Sequence, residues 1–479
     1  MSKAAVRGNL VRFLILIYLF ALIVRLVPVL LTYNLPIGLD DMFQYDMLAR
    51  SIVSGNGYRW YAQEDLKLIQ AVLPIQTPAD YDPRGVLTSY RGPGFPLFLA
   101  WVYSIAGTGE QRFFFARLAQ AFLTATIAPI TYILAHQLGL QERTTRWAAG
   151  ILAFYPLLIV YPLALVSENL FLVLLTLAVV LVLWVRSDQR WYVALMAGLV
   201  LGLAMLTRSV IAGFVPLALF WLWWSAPNKR RAVWNGAVLL AGFLAITTPW
   251  VVRNSLVHKQ LVWVESSLGY NLYLGYHPQS QGTFQFGISL DLLPILDDAE
   301  RDAAGRQAAL DFIRADPGRF PYLLVRKLGY FWGLDRRALG YFYSNGFFGY
   351  WPPWLLGAVM VLDTGPLLLL APMALIGMVC GRLTGPKTLL LILLIYYTGI
   401  HMLILAEPRF HLPLLPLVAI LAMYALFEHP WFASRPWQRY LALILVALLL
   451  FNWSAEIVRD WDMLSKLFGP EGHHLGLNY

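Results

Sequence analysis

Apolar runs of about 18 or more residues recur along almost the whole chain, and nothing else limits its fold so strongly. Backbone buried in hydrocarbon must satisfy its own hydrogen bonds, so such runs become helices. Candidate spans fall at 13–32, 117–138, 147–163, 169–185, 191–207, 210–226, 233–251, 364–381, 388–405, 411–428 and 440–453, about eleven in all. Hydrophobic residues make up 59% and charged residues 13%, where a soluble domain has about a quarter charged. Mean hydropathy is +0.61. The expected class is an all-α polytopic membrane protein. The run from Phe13 to Leu31 is long enough to persist as a span, and no signal-peptide cleavage site is evident.

The net charge of +9 does not point to nucleic acid, because Lys and Arg are scattered between spans rather than gathered in a tract. Cys380 is the single cysteine, which excludes an intramolecular disulfide and a Cys/His zinc cluster. Basic residues sit in alternate short loops: Lys3, Arg7 and Arg12; Arg143 and Arg146; Arg186 and Arg190; Lys229, Arg230 and Arg231; Arg382 and Lys387; Arg435 and Arg439. A cytoplasmic N-terminus places all of them in the cytoplasm. That parity holds only if the short apolar segments 95–107 and 350–362 do not cross, so both are expected as interfacial helices. Residues 1–479 then form one integral membrane domain. A first outer loop occupies 33–116, a second large outer region 252–363, and C-terminal spanning helices 364–453.

Irregular, polar sequence gathers in those outer regions, where function is expected. In GLDDMFQYDMLARSIVSGNGY (38–58), Asp41 and Gln44 match a capping box, and Gly55-Asn56-Gly57 ends the helix. Asp40 or Asp41 can serve as cap or as site acid, whereas Asp46 and Arg50 read as an exposed pair four apart. Glu168 falls between two spans, where an ionisable group is costly. Arg91, Arg208, Arg253 and Arg409 lie at or near outer helix ends. Each alone reads as a snorkelling charge; together they would form a cationic surface suited to the oxygens of a lipid phosphate. ESSLGYNLYLGYHPQSQGTF (265–284) mixes Gly, Tyr, Asn and His as sugar sites do, and as ordinary loops do. His277 and His411 read as hydrogen-bonded interface histidines.

With these stretches in view, the chain resembles polyprenyl-phosphate-dependent glycosyltransferases of the type C superfamily, in particular the protein O-mannosyltransferase and lipid A aminoarabinose transferase families. The likeness rests on the 38–58 stretch, YRGPGFPLFLAWVYSIAG, YPLALVSENLF with GLAMLTRS, 248–278, 312–332 and EPRFHLPLLP, in that order. It implies a catalytic acid four places before a Tyr, which selects Asp41 before Tyr45. Met42 stands where Glu is common, which leaves Asp40 as a substitute. It implies Glu168 as the second acid, and matches Arg91 to the family's first-loop Arg-x-Pro region and Arg409 to its late Arg-Phe/Tyr-x-x-Pro motif. It further implies a divalent cation (Mg, Mn or Ca), with Asp41 and Glu168 as its ligands. The implied reaction moves a hexosyl or pentosyl group from a polyprenyl-phosphate donor to a hydroxyl of a protein, glycolipid or polysaccharide. Asp41 would act as general base and arginines would steady the departing phosphate. The implied location is a bacterial cytoplasmic membrane, with the active site on its outer face. Rival readings are a glycan polymerase or ligase, a noncatalytic glycolipid-binding protein and a transporter; a transporter would place its ionisable groups at mid-span.

Overall fold

The computed structural model describes residues 3–71, 77, 81–382 and 384–476. Among them, eight helices are long and apolar enough to cross a membrane, nine if a bent pair counts as one. These nine cover nine of the expected spans. The remaining two, at 191–207 and 210–226, fall on the apolar but shorter segments Trp191–Thr207 and Ser209–Ser225. The expected interfacial segment at 95–107 is the 13-residue helix Gly94–Ala106, shorter than the roughly 17 residues that a span needs. Strand structure among the described residues is a two-residue antiparallel pair, Arg59–Trp60 with Val86–Leu87.

One expectation fails. Residues 350–362 do not form a separate interfacial helix. They run straight into the next span as one helix, Pro353–Cys380, so the expected boundary at 363/364 falls inside it. Pro366 and Pro372 lie within this helix without ending it. Pro353 sits at its first turn, where a missing N–H costs nothing. Apolar helices tolerate interior prolines when neighbours resupply the lost bonds.

The same rule explains how broken helices persist near the site. Glu142–Phe154 and Pro156–Leu163 meet at a 50° bend. Pro156 has no N–H to offer the carbonyl of Leu152, one turn back. Arg25, fully buried on the first helix, donates to Leu152 O and Ala153 O, each at 2.9 Å. The unwound stretch after the bend is held likewise. Buried Arg117 reaches Leu163 O at 2.8 Å and Pro36 O at 2.8 Å. Gln120 donates to Pro162 O and Ala164 O, and Asn169 to Ala164 O. Glu168 therefore starts its helix, Ser167–Asp188, from a backbone fixed by side chains.

Close approach of backbones sets the neighbouring helix. A Cβ at Gly198 would lie 2.0 Å from Leu239 O, one at Gly202 2.7 Å from Ile246 Cβ, and one at Gly242 2.8 Å from Leu195 O. Small residues thus seat Trp191–Thr207 against Lys229–His258, as in membrane helix pairs generally. Gly92 and Gly94 allow the loop carrying Arg91 to press on Leu206 and Thr207. Gly198→Val is expected to cost on the order of 1–3 kcal/mol and to lower Tm in detergent; an unchanged Tm would show that the pair separates freely.

Candidate active site

Asp40, not Asp41, caps the first short helix, Asp41–Val53: its Oδ1 accepts from Met42 N at 2.8 Å. Its Oδ2 accepts from the Tyr341 hydroxyl. The expected capping box does not form: the cap moves back one residue to Asp40, which puts Phe43 at the third helical position, and Gln44 is used elsewhere, accepting from Arg91 Nε at 2.9 Å. The shift leaves Asp41 in the first turn with both oxygens directed at other groups. Arg91 donates to Oδ1. Arg409 donates to Oδ2 at 3.0 Å.

Glu168 completes the cluster. Arg208 Nη1 lies 2.8 Å from its Oε1, and Arg409 Nε 3.9 Å from the same oxygen. Arg409 is thus shared between Asp41 and Glu168, two acids separated by 127 positions in sequence (168 − 41). Tyr45 and Arg208 both donate to Ser167 Oγ, at 3.1 Å and 3.3 Å. The packed-down loop at Gly92 and Gly94 sets Arg91 beside the end of the helix that delivers Arg208.

The group opens into a cavity of about 330 Å³. The ends of long helices supply Ser167, Glu168, Thr207 and Arg208, and a 3-10 turn supplies Arg409. Short helices between the spans supply Asp41, Asn271 and Tyr341, and loops supply Asp40, Arg91 and Glu265. Leu274, Leu290, Leu293 and Phe410 provide apolar wall. The cavity is not simply cationic, as the sequence suggests. Asp40, Asp41, Glu168, Glu265 and Glu407 line it with Arg91, Arg208 and Arg409, so each guanidinium already faces a carboxylate.

Electrostatics separate the adjacent acids. Burial pushes the Asp40 carboxyl up to about 6, against hydrogen bonds from Tyr341 and Met42, with Asp41 adding to the rise. Burial pushes Asp41 up as well, but Arg91 and Arg409, aided by Arg208, outweigh it and hold the carboxyl down at about 2. Between about pH 2 and pH 6 Asp41 is ionised while Asp40 keeps its proton, and Asp40 loses it as pH rises through about 6.

Other candidate residues stand apart from this cluster. Arg253 does not line the cavity. It donates to Thr88 O at 2.6 Å and Tyr58 O at 3.1 Å, and stacks on Trp250, clamping the loop below Arg91. Asp46 is not an exposed partner of Arg50. It is 1% exposed, and accepts also from Arg112 Nε at 2.7 Å and Tyr103 at 3.0 Å. His411 faces Asp335 at 3.0 Å and the Phe331 carbonyl, and His277 faces Asp291 at 3.9 Å. Glu407 pairs with Arg337 at 2.7 Å.

Asp41 and Glu168 do not fit a resident divalent cation in this arrangement. Both Asp41 oxygens meet guanidinium groups, and Arg409 stands between the two acids. Among the described residues, no group of three His, Cys, Asp or Glu side chains is placed to hold a metal ion.

Sequence reasoning missed Glu265 and Tyr341. Glu265 opens the 265–284 stretch noted for its sugar-site composition, yet its own carboxylate went unremarked. Tyr341 carries no local signal, because its partner Asp40 is 301 residues away.

A model of the family described as dolichyl-phosphate-mannose-protein mannosyltransferase matches residues 94–261. No curated protein sequence matches the chain. The archaeal oligosaccharyltransferase AglB from Archaeoglobus fulgidus, solved with an inhibitory peptide and a dolichol-phosphate, is similar with TM-score 0.51 and 16% identity, over 93% of this chain and 55% of that one. The apo form of the oligosaccharyltransferase of the same organism gives 0.51 and 15%, over 98% and 60%. ArnT from Cupriavidus metallidurans, bound to undecaprenyl phosphate, aligns at 0.42 and 13%, over 97% and 65%, too distant to support a comparison. The chain therefore shares the polytopic fold of the archaeal oligosaccharyltransferase. It spans 55–60% of the length of those archaeal chains.

Asp40 gives a testable pH signature. An unfolded aspartate titrates near 3.9, so between that value and about 6 the folded protein holds an extra proton here. Stability due to this group is fully present below pH 4 and falls as pH rises through about 6. Asp40→Asn removes the titration. Its Tm relative to wild type should therefore rise from pH 4 to pH 7 in thermal melts; a constant difference would contradict the assignment.

Proposed function

We propose that this chain is an integral membrane glycosyltransferase that moves a sugar from a polyprenyl-phosphate donor to an acceptor hydroxyl, on the extracytoplasmic side. The single observation that carries the reading is the placement of Asp41 between Arg91 and Arg409 in a cavity shared with Glu168 and Arg208. The family match over 94–261 supports the same class, and so does the fold shared with AglB, whose structure contains a dolichol-phosphate.

The base and the anion site are coupled through the arginines. With Arg91 and Arg409 on it, Asp41 is ionised but a poor proton acceptor. A donor phosphate competes for the same guanidiniums, whose planar forks suit its oxygens. As they turn toward the phosphate, the proton affinity of Asp41 rises toward that of an ordinary or buried carboxylate. Asp41 then takes the proton of the acceptor hydroxyl as the oxygen attacks the sugar's anomeric carbon. The bond from that carbon to the phosphate oxygen breaks, and the arginines hold the departing phosphate. Glu168 keeps Arg208 in place and orients the acceptor. A phosphate leaving group needs no acid, so one base serves, unlike the two-carboxylate glycosidases. The apolar wall suits an isoprenoid chain, at about 0.8 kcal/mol for each methylene buried. No metal is assigned a step.

Asp41→Asn should lower transfer by about 10²–10⁴-fold, the range for a general base. It should also bind undecaprenyl phosphate at least as tightly as wild type, because two guanidiniums are released. Transfer from polyprenyl-phosphate sugars by the protein in lipid, with binding measured in parallel, checks both. Wild-type transfer by the variant would reject the base, and much weaker lipid binding would reject the competition.

A further inference from the structure

Of the five carboxylates that line the cavity, three have guanidinium partners: Asp41 has Arg91 and Arg409, Glu168 has Arg208, and Glu407 has Arg337. Asp40 accepts from Met42 N and the Tyr341 hydroxyl. Glu265 differs. It lines the same cavity, yet no ion pair among the described residues includes it; its hydrogen-bond partner is the Ser209 hydroxyl, which donates to Oε1.

The local chain holds Glu265 firmly. Trp250 Nε1 donates to Val264 O at 2.9 Å, and Ser266 N donates to Ser89 O at 2.9 Å. The hydroxyls of Ser266 and Ser89 meet at 2.8 Å. Ser89 lies two residues before Arg91, and Ser209 directly follows Arg208. Glu265 is therefore tied to both segments that deliver arginines. Asn271, on the helix Leu268–Tyr276, lines the cavity too, and its side-chain amide makes no hydrogen bond among the described residues.

A carboxylate without a cation beside an anion site weakens phosphate binding unless the ligand also brings hydrogen-bond donors. A sugar on that phosphate brings them, as hydroxyls close to the phosphoester carbon. A carboxylate accepts from two neighbouring hydroxyls at once, and an amide can donate and accept beside it. We infer that Glu265 and Asn271 form the subsite that reads the sugar of the lipid-linked donor, and that it takes a neutral sugar with adjacent free hydroxyls. The inference rests on the reading of the arginine cluster as the lipid-phosphate site. Glu265 would repel an acidic sugar.

The test measures binding to the full chain in nanodiscs. The probes are undecaprenyl phosphate alone and undecaprenyl-phosphate-linked glucose, mannose, galactose and glucuronic acid. Glu265→Gln should weaken the best-bound neutral sugar lipid at least tenfold, while affinity for undecaprenyl phosphate stays equal or improves because a negative charge is gone. Asn271→Ala should shift the same ratio in the same direction. A merely structural role would weaken both kinds of lipid together, and that result overturns the subsite, as does an unchanged ratio or a wild-type preference for the glucuronic acid lipid. Wild-type protein that ignores undecaprenyl phosphate altogether overturns the phosphate site and the subsite with it. Wild-type binding of undecaprenyl phosphate that is lost in Arg409→Ala, with no Glu265 effect on the ratio, overturns the subsite alone.

Discussion

Unpaired backbone carbonyls inside an apolar bundle must find donors, and in this chain buried arginine and amide side chains supply them. A helix broken by proline normally loses bonds that hydrocarbon cannot replace. Arg25 fills the gap left by Pro156, while Arg117, Gln120 and Asn169 tie down the unwound residues up to Glu168. Without those donors the bend would not hold, and the helix bearing Glu168 would have no fixed starting point. The site's precision thus originates in groups that never touch its cavity.

Within the cavity, charges are arranged in mutual opposition rather than as a bare positive surface. Adjacent aspartates have different environments: one caps a helix and meets a phenol, the other meets two guanidiniums. Their titrations are driven in opposite directions, which is how neighbouring carboxyls acquire distinct roles. Arg409 faces both Asp41 and Glu168, so the two acids cannot respond independently to an incoming anion.

Much of the bundle was legible because apolar length is a direct physical signal. Nine expected spans coincide with long helices or the bent pair. The failure at 350–362 came from treating a short apolar segment as separate to keep the loop-charge parity, whereas residues from Pro353 onward continue into the span as one helix. That Glu168, Arg208 and Arg409 lie together was foreshadowed by the cost of ionisable groups near helix ends, whereas Asp41 and Arg91 stood out through the resemblance of their stretches to a known family. Arg253 gave the same signal for a different reason, since it serves loop carbonyls. Whether a terminal arginine meets a ligand or a carbonyl depends on tertiary placement, which no local pattern encodes. Tyr341 was invisible on the same ground.

The bond from Tyr341 to Asp40 joins distant parts of the chain at the first turn of a short helix. Pulling the Arg337–Ser344 segment outward would tug on the residue that starts this helix, immediately before Asp41. The position of Asp41 thus depends on a hydroxyl 301 residues beyond Asp40, through one peptide bond to the residue that receives it.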